Sequence, residues 1–206
     1  QAGGVGMNLL GKFTPGGVVT TYALNENPLA ICAGADGNLW IMEPTQVAVV
    51  TLSGAETDYG LTSSGWTSIT LGPDGNIWFT ETPNVVGYVL PRGLVVEFGL
   101  DGELAAFADP SGITSGPDGA LWFVGEFTNN IGRITTIGTL TRTYALSQGS
   151  APTWNTLGPD GAVWFTEVEL DQIGRITTTG VVTTFPTAPG SAPEDIVAGP
   201  PLGAFA

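Results

Sequence analysis

The sequence predicts an all-β protein, a β-propeller of five four-stranded blades, and three observations carry that prediction. A Trp-centred motif returns four times along the 206 residues, a Val/Thr-rich strand-turn-strand motif follows each copy, and the chain ends hold complementary halves of one further unit. Composition agrees. With 31 Gly, 15 Pro and only 12% charged residues there is little material for helices, while 42% hydrophobic content and six Trp suffice for a packed core.

Taken in order, residues 1–9 form a Gly-rich apolar segment, read as an N-terminal extension of a single domain spanning 1–206. Residues 10–22 (LGKFTPGGVVTTY) then supply two strands around Pro15-Gly16-Gly17. The first full unit opens on ICAGADGNLWIME at 31–43, and its copies are ITLGPDGNIWFTE at 69–81, ITSGPDGALWFVGE at 113–126 and NTLGPDGAVWFTE at 155–167. Their Trp40, Trp78, Trp122 and Trp164 lie 38, 44 and 42 residues apart. In each, a short strand enters a turn such as Gly72-Pro73-Asp74-Gly75, where Pro presets φ, Asp caps the turn and Gly accepts positive φ, and a second strand leaves it. The second motif, at 47–59, 86–98, 131–144 and 173–185, makes two more strands around a Gly turn. Four strands per unit of roughly 41 residues is the period of a propeller blade.

Residues 196–206 (IVAGPPLGAFA) repeat the first motif in degenerate form, with Phe205 in the Trp position. Strands three and four therefore stand at the start of the chain and strands one and two at its end. Joining 10–24 with 193–206 in one blade closes a five-bladed ring and pairs edges that would otherwise be exposed. The alternative is a segment of a six- or seven-bladed ring.

The motif GPDGxxWFTE followed by IGRITTxGxxTxF resembles the streptogramin lyase (virginiamycin B lyase) family and its NHL-like propeller relatives, over essentially the whole chain. The resemblance implies the propeller fold. It also implies a magnesium-assisted elimination that opens a cyclic depsipeptide on a seven-bladed ring, with a histidine as base. Here five blades are countable and the 206 residues contain no histidine. The expectation is accordingly a ligand-binding or structural, self-assembling module without histidine-based catalysis. The alternative is a magnesium-assisted lyase or hydrolase, acting on a cyclic peptide, lactone or similar ester through a carboxylate base.

Charge narrows the partners. Five basic against 19 acidic residues give a net charge of -14, which repels nucleic acid and anionic lipid. No stretch of 18 apolar residues spans a membrane. A chain starting at Gln1 suggests processing after secretion, hence an extracellular or periplasmic location. The expected partners are a small molecule, glycan or peptide at the propeller mouth, and a second copy reached through residues 1–9.

Residues that break the repeat mark that mouth. The segment entering strand one reads Pro28-Leu29-Ala30-Ile31, Pro110-Ser111-Gly112-Ile113 and Pro193-Glu194-Asp195-Ile196, but Trp66 replaces the Pro in one blade, and Trp154 and Asn155 interrupt another. Trp66, Trp154, Asn155 and Asp195 thus share one face with the loops between strands two and three, and aromatic rings beside acceptors suit a sugar or peptide. The glutamates ending the second strand, Glu43, Glu81, Glu126 and Glu167, surround the same opening. Glu126 and Glu167 are expected to pair with Arg133 and Arg175. Glu43 and Glu81 face Val49 and Tyr88 instead, which leaves two carboxylates as oxygen ligands for Mg²⁺ or Ca²⁺. The recurring Trp is expected to pack between blades, the recurring Asp36, Asp74, Asp118 and Asp160 to cap turns, and Cys32 to be a small buried residue.

Overall fold

The structure, a computed structural model, describes residues 8–61, 65–100 and 109–199, and of Trp66 the backbone alone. β1 (Leu9–Phe13) and β2 (Val19–Ala23) form a two-stranded antiparallel sheet. Four four-stranded sheets follow, each antiparallel and in chain order. The first holds β3 (Ala30–Ala33), β4 (Leu39–Met42), β5 (Gln46–Val50) and β6 (Glu56–Gly60). The second holds β7 (Gly65–Leu71), β8 (Ile77–Thr82), β9 (Val85–Val89) and β10 (Val95–Gly99). The third holds β11 (Pro110–Ser115), β12 (Ala120–Gly125), β13 (Asn130–Thr135) and β14 (Leu140–Ala145), and the fourth β15 (Pro152–Leu157), β16 (Val163–Glu167), β17 (Gln172–Ile176) and β18 (Val182–Pro186). Among the described residues the helical content is one 3₁₀ turn, Val168–Leu170, and no helix is long and apolar enough to cross a membrane. These are the blades of a five-bladed propeller, named below blades one to four after the four complete sheets.

Each blade buries one face on the next, and the Trp is the plug. Trp40 packs with Ile69, Ile77 and Phe79 of blade two, Trp78 with Ile113, Leu121 and Phe123 of blade three, and Trp122 with Val163, Phe165 and Ile176 of blade four. All three indoles are essentially inaccessible, at 0–2% exposure, whereas Trp164 in blade four is half-buried. Within its own blade each indole stacks on the aromatic residue of the outermost strand: Trp40 on Tyr59, Trp78 on Phe98, Trp122 on Tyr144 and Trp164 on Phe185, with centroids 5.3–6.1 Å apart. Such stacks contribute about 0.5–1.5 kcal/mol each beyond the area they bury.

The outer aromatic in turn presses on the glycine of the next blade's outer turn, Tyr59 on Gly93, Phe98 on Gly138 and Tyr144 on Gly180. Tyr22 of β2 meets Gly54 in the same way, so β1 and β2 occupy the outer half of a blade preceding blade one. Hydroxyl groups stitch the inner strands: Thr67 Oγ1 donates to the Pro110 carbonyl at 2.6 Å and Ser111 Oγ to the Pro152 carbonyl at 3.4 Å. Thr153 Oγ1 donates likewise to the Glu194 carbonyl at 3.0 Å, so residues 193–199, which contain no strand, run where the inner strand of a following blade belongs. The two half-blades thus sit on the outer sides of blades one and four. Of the segment expected to close the ring, residues 200–206 lie outside the described residues, as does most of the N-terminal segment expected to reach a second copy, and β1 and β2 pair with each other alone. The N-terminal segment is shorter than expected, because Leu9 already pairs with Ala23 in β1.

Gly180 has φ +91° and a Cβ there would enter the Tyr144 ring, whereas Gly17 has φ +80° with open space around it. Gly17→Ala is expected to cost about 1 kcal/mol through backbone strain alone, and Gly180→Ala about 2 kcal/mol or more because the blade contact is lost as well. Urea unfolding of the two variants measures the difference.

Candidate functional site

The two ends of each blade carry carboxylates of opposite character. At the turn end, the Asp before the turn glycine accepts a hydrogen bond from the Trp indole four residues on: Asp36, Asp74, Asp118 and Asp160 Oδ1 lie 3.0–3.2 Å from Nε1 of Trp40, Trp78, Trp122 and Trp164. The second oxygen takes a partner that alternates with the sequence. Where the motif reads GN, Asn38 or Asn76 Nδ2 donates to it at 2.9 or 2.8 Å. Where it reads GA, Arg133 or Arg175 Nε donates at 2.7 or 2.6 Å.

This corrects the expected pairing of Glu126 with Arg133 and Glu167 with Arg175. Each arginine stands opposite a Trp in the ladder, Trp122↔Arg133 and Trp164↔Arg175, four or three residues short of the glutamate and so about 10–13 Å away along the strand. Three of the turn aspartates, Asp36, Asp118 and Asp160, are held as anions. Hydrogen bonds from Asn38 and Trp40 keep Asp36 below the ordinary range, those from Arg133 and Trp122 do so for Asp118 against some burial, and those from Trp164 and Arg175 bring Asp160 down to about 2. Beside this end, burial and the Asp36 charge push the Cys32 thiol up to about 12, which leaves it inert as a nucleophile.

The opposite end is the expected mouth, and the strand register places its parts together. Trp66 lies opposite Glu81, Pro110 opposite Gly125, and Pro152 opposite Glu167. Entry segments and second-strand ends therefore meet on one side. The side chains differ in how far they face it. Trp154 is half-buried in a bulge of β15 and Asp195 is exposed, its Oδ1 accepting from the Ile196 N–H. Asn155 is buried and turned sideways, Nδ2 donating to the Trp122 carbonyl at 2.9 Å, a contact between blades rather than a surface acceptor. The Trp66 side chain lies outside the described residues.

Glu43, Glu81 and Glu167 are not solvated at a rim; they are 0–1% exposed. Burial raises the carboxyl of Glu167 and of Glu43, and that of half-buried Glu126, where the Asp109 charge adds to it. Glu167 Oε2 and Glu43 Oε1 have no hydrogen-bond partner among the described residues. Glu43 Oε2 accepts from Gln46 Nε2 at 2.6 Å. Sequence reasoning missed its neighbours: Glu43 offers an oxygen within 4.8 Å of oxygens from Glu56 and Asp58 on β6. The sign was present, since Glu56 and Asp58 are two residues apart on a strand and so share a face.

The four complete blades and the outer half-blade make up a β-propeller in which Glu43, Glu81 and Glu167 are buried at the end of the second strand. The chain belongs to the virginiamycin B lyase family, whose sequence profile matches residues 4–147 and 109–202. Among solved structures it is similar to a streptogramin B lyase, at 35% identity over 92% of this chain and 65% of that one, with a TM-score of 0.83. It is also similar to virginiamycin B lyase from Staphylococcus aureus, at 32% identity over 94% of this chain and 68% of that one, TM-score 0.86. A catalytically inactive form of that enzyme, with one histidine changed to alanine and solved with quinupristin, matches at 32% identity, 93% and 68% coverage and TM-score 0.85. The chain thus spans about two thirds of the length of these relatives. A search among curated proteins gives no match.

The raised carboxyl of Glu167 has a measurable consequence. Its folded-state pKa lies above the unfolded value, so the folded state favours the protonated form and wild-type stability falls as pH rises from about 4.5 through the folded pKa. Glu167→Gln removes that loss. Thermal melts are expected to show the variant more stable than wild type at pH 7, by about 1 kcal/mol, with the gap closing at pH 4.

Proposed function

We propose that this chain is a ligand-binding propeller of the virginiamycin B lyase family, that its ligand sits at the end of the blades where Glu81, Glu126 and Glu167 converge with Trp154 and Asp195, and that it does not carry out histidine-based elimination. The observation behind this reading is the burial of glutamates at that end. A carboxylate without full hydrogen bonding costs stability, and chains keep such groups where they meet a ligand. Half-buried Trp154 offers a ring face, and the carboxylates offer acceptors, which together suit a peptide, macrocycle or sugar bearing N–H or O–H groups. The 206 residues include no histidine, the residue type whose change to alanine accompanies the inactive form of the similar Staphylococcus aureus enzyme.

A second reading, a magnesium-assisted lyase or hydrolase, is favoured by Glu167 alone: a buried carboxylate with a raised pKa and an unpartnered oxygen has the properties of a general base. Carboxylate oxygens of Glu43 and Glu81 suit a hard cation such as Mg²⁺ or Ca²⁺, which would polarise an ester or carbonyl oxygen.

Calorimetric titration with quinupristin, followed by mass spectrometry of the recovered ligand, separates the readings. The first expects saturable binding, an intact ring with or without Mg²⁺, and roughly tenfold weaker binding in Trp154→Ala. Ring opening that needs Mg²⁺ and disappears in Glu167→Gln would establish the second. No binding at millimolar ligand would contradict both.

A further inference from the structure

We propose that Glu43, Glu56 and Asp58 form a calcium site on blade one, closed by the connection between β2 and β3, and that it stabilises the propeller whether or not the mouth takes a ligand. Three carboxylates from two strands bring one oxygen each within 4.8 Å of one another. Ca²⁺ takes six to eight oxygen ligands in flexible geometry, whereas Mg²⁺ demands a near-ideal octahedron, so a cluster of carboxylates drawn from two strands suits the larger ion better. The ion pairs found among the described residues, Asp118–Arg133 and Asp160–Arg175, are both elsewhere, and no cation reaches this group.

An acidic cluster on an exposed strand would be unremarked, but here one member is fully buried. Glu43 is 0% exposed, its Oε2 is fixed by Gln46, and its Oε1 has no hydrogen-bond partner among the described residues. A buried carboxyl with one oxygen lacking a hydrogen-bond partner, grouped with two further carboxylates, is a group that a cation would satisfy. The neighbours are preset. Asn25 Nδ2 donates to Asp58 Oδ2 at 2.7 Å and the Asn25 N–H to both oxygens of Glu56, at 3.1 and 3.3 Å, while Glu26 is tied away to Thr45 through the backbone N–H and the hydroxyl. Mutual repulsion with Asp58 adds to burial in raising Glu43 and Glu56. The consequence is a link between half-blade and blade. An ion here joins the exit of β2, through Asn25, to β4 and β6, at the junction where the preceding half-blade meets blade one.

Calorimetry with CaCl₂ and thermal melts with and without Ca²⁺ test this. The expected result is one Ca²⁺ per chain with a Kd of about 10⁻⁴–10⁻³ M, and a melting midpoint a few degrees higher at about 5 mM Ca²⁺ than in chelator. Glu56→Gln with Asp58→Asn should weaken binding at least tenfold, whereas Glu169→Gln, which removes a carboxylate from the 3₁₀ turn of blade four, should leave it unchanged. Wild-type protein showing no saturable uptake up to about 10 mM Ca²⁺, or a double variant that binds as wild type does, would overturn the proposal. Because the ligand-binding reading of the mouth does not involve Glu43, Glu56 or Asp58 and is probed with quinupristin, failure of these measurements leaves it untouched.

Discussion

A four-stranded sheet of this size has two apolar faces and cannot cover either by itself, so everything in the structure follows from the contact of one blade with the next. The contact has a fixed chemistry. An indole from the second strand enters the following blade, its own outer Tyr or Phe stacks on it, and that ring ends against a glycine one blade further on. Because each element of the plug comes from a fixed place in the repeat, the sequence period is the spatial period. Trp164 shows what the contact is worth: the same residue in the same place is half-buried where a strand-free segment, 193–199, replaces a full neighbouring blade.

The indole also decides where charge resides. Its N–H has to be satisfied on burial, and the turn aspartate satisfies it, so the aspartate at every turn end is well supplied with donors. At the other end the strands finish in glutamates that burial penalises and few donors relieve. One end of the ring is thereby structural and electrostatically settled. The other stores unfavourable charge at the place where the entry segments depart from the repeat, which is where a ligand, proton or cation has most to offer.

Blade number, strand boundaries and the packing role of the Trp were legible because they depend on period and turn chemistry, which the motif repeats almost letter for letter. The role of the turn aspartates was legible for the same reason, since Asp before Gly in a tight turn has few alternatives. What sequence could not show were contacts that depend on register and side-chain direction. Linear spacing pairs Arg133 and Arg175 with the glutamates of the same hairpin, yet the ladder sets them opposite Trp122 and Trp164, beside the aspartates. The replacement of Asn38 and Asn76 by alanine in those two blades was the available sign, because the arginine supplies the donor the asparagine no longer gives. The break in the repeat places Asn155 at the opening, but alternation along β15 turns it into the neighbouring blade. The grouping of Glu43 with β6 needed a neighbour two strands away, which linear spacing hides.

The division of carboxylates between the two ends is the claim on which the functional reading rests, and a ¹³C NMR titration of Asp and Glu side-chain carboxyls measures it residue by residue. Asp36, Asp118 and Asp160 are expected to titrate below the ordinary aspartate value, Asp160 at about 2, and Glu43, Glu126 and Glu167 above the ordinary glutamate value. Two sets of carboxyls that titrate together at ordinary values would contradict this division.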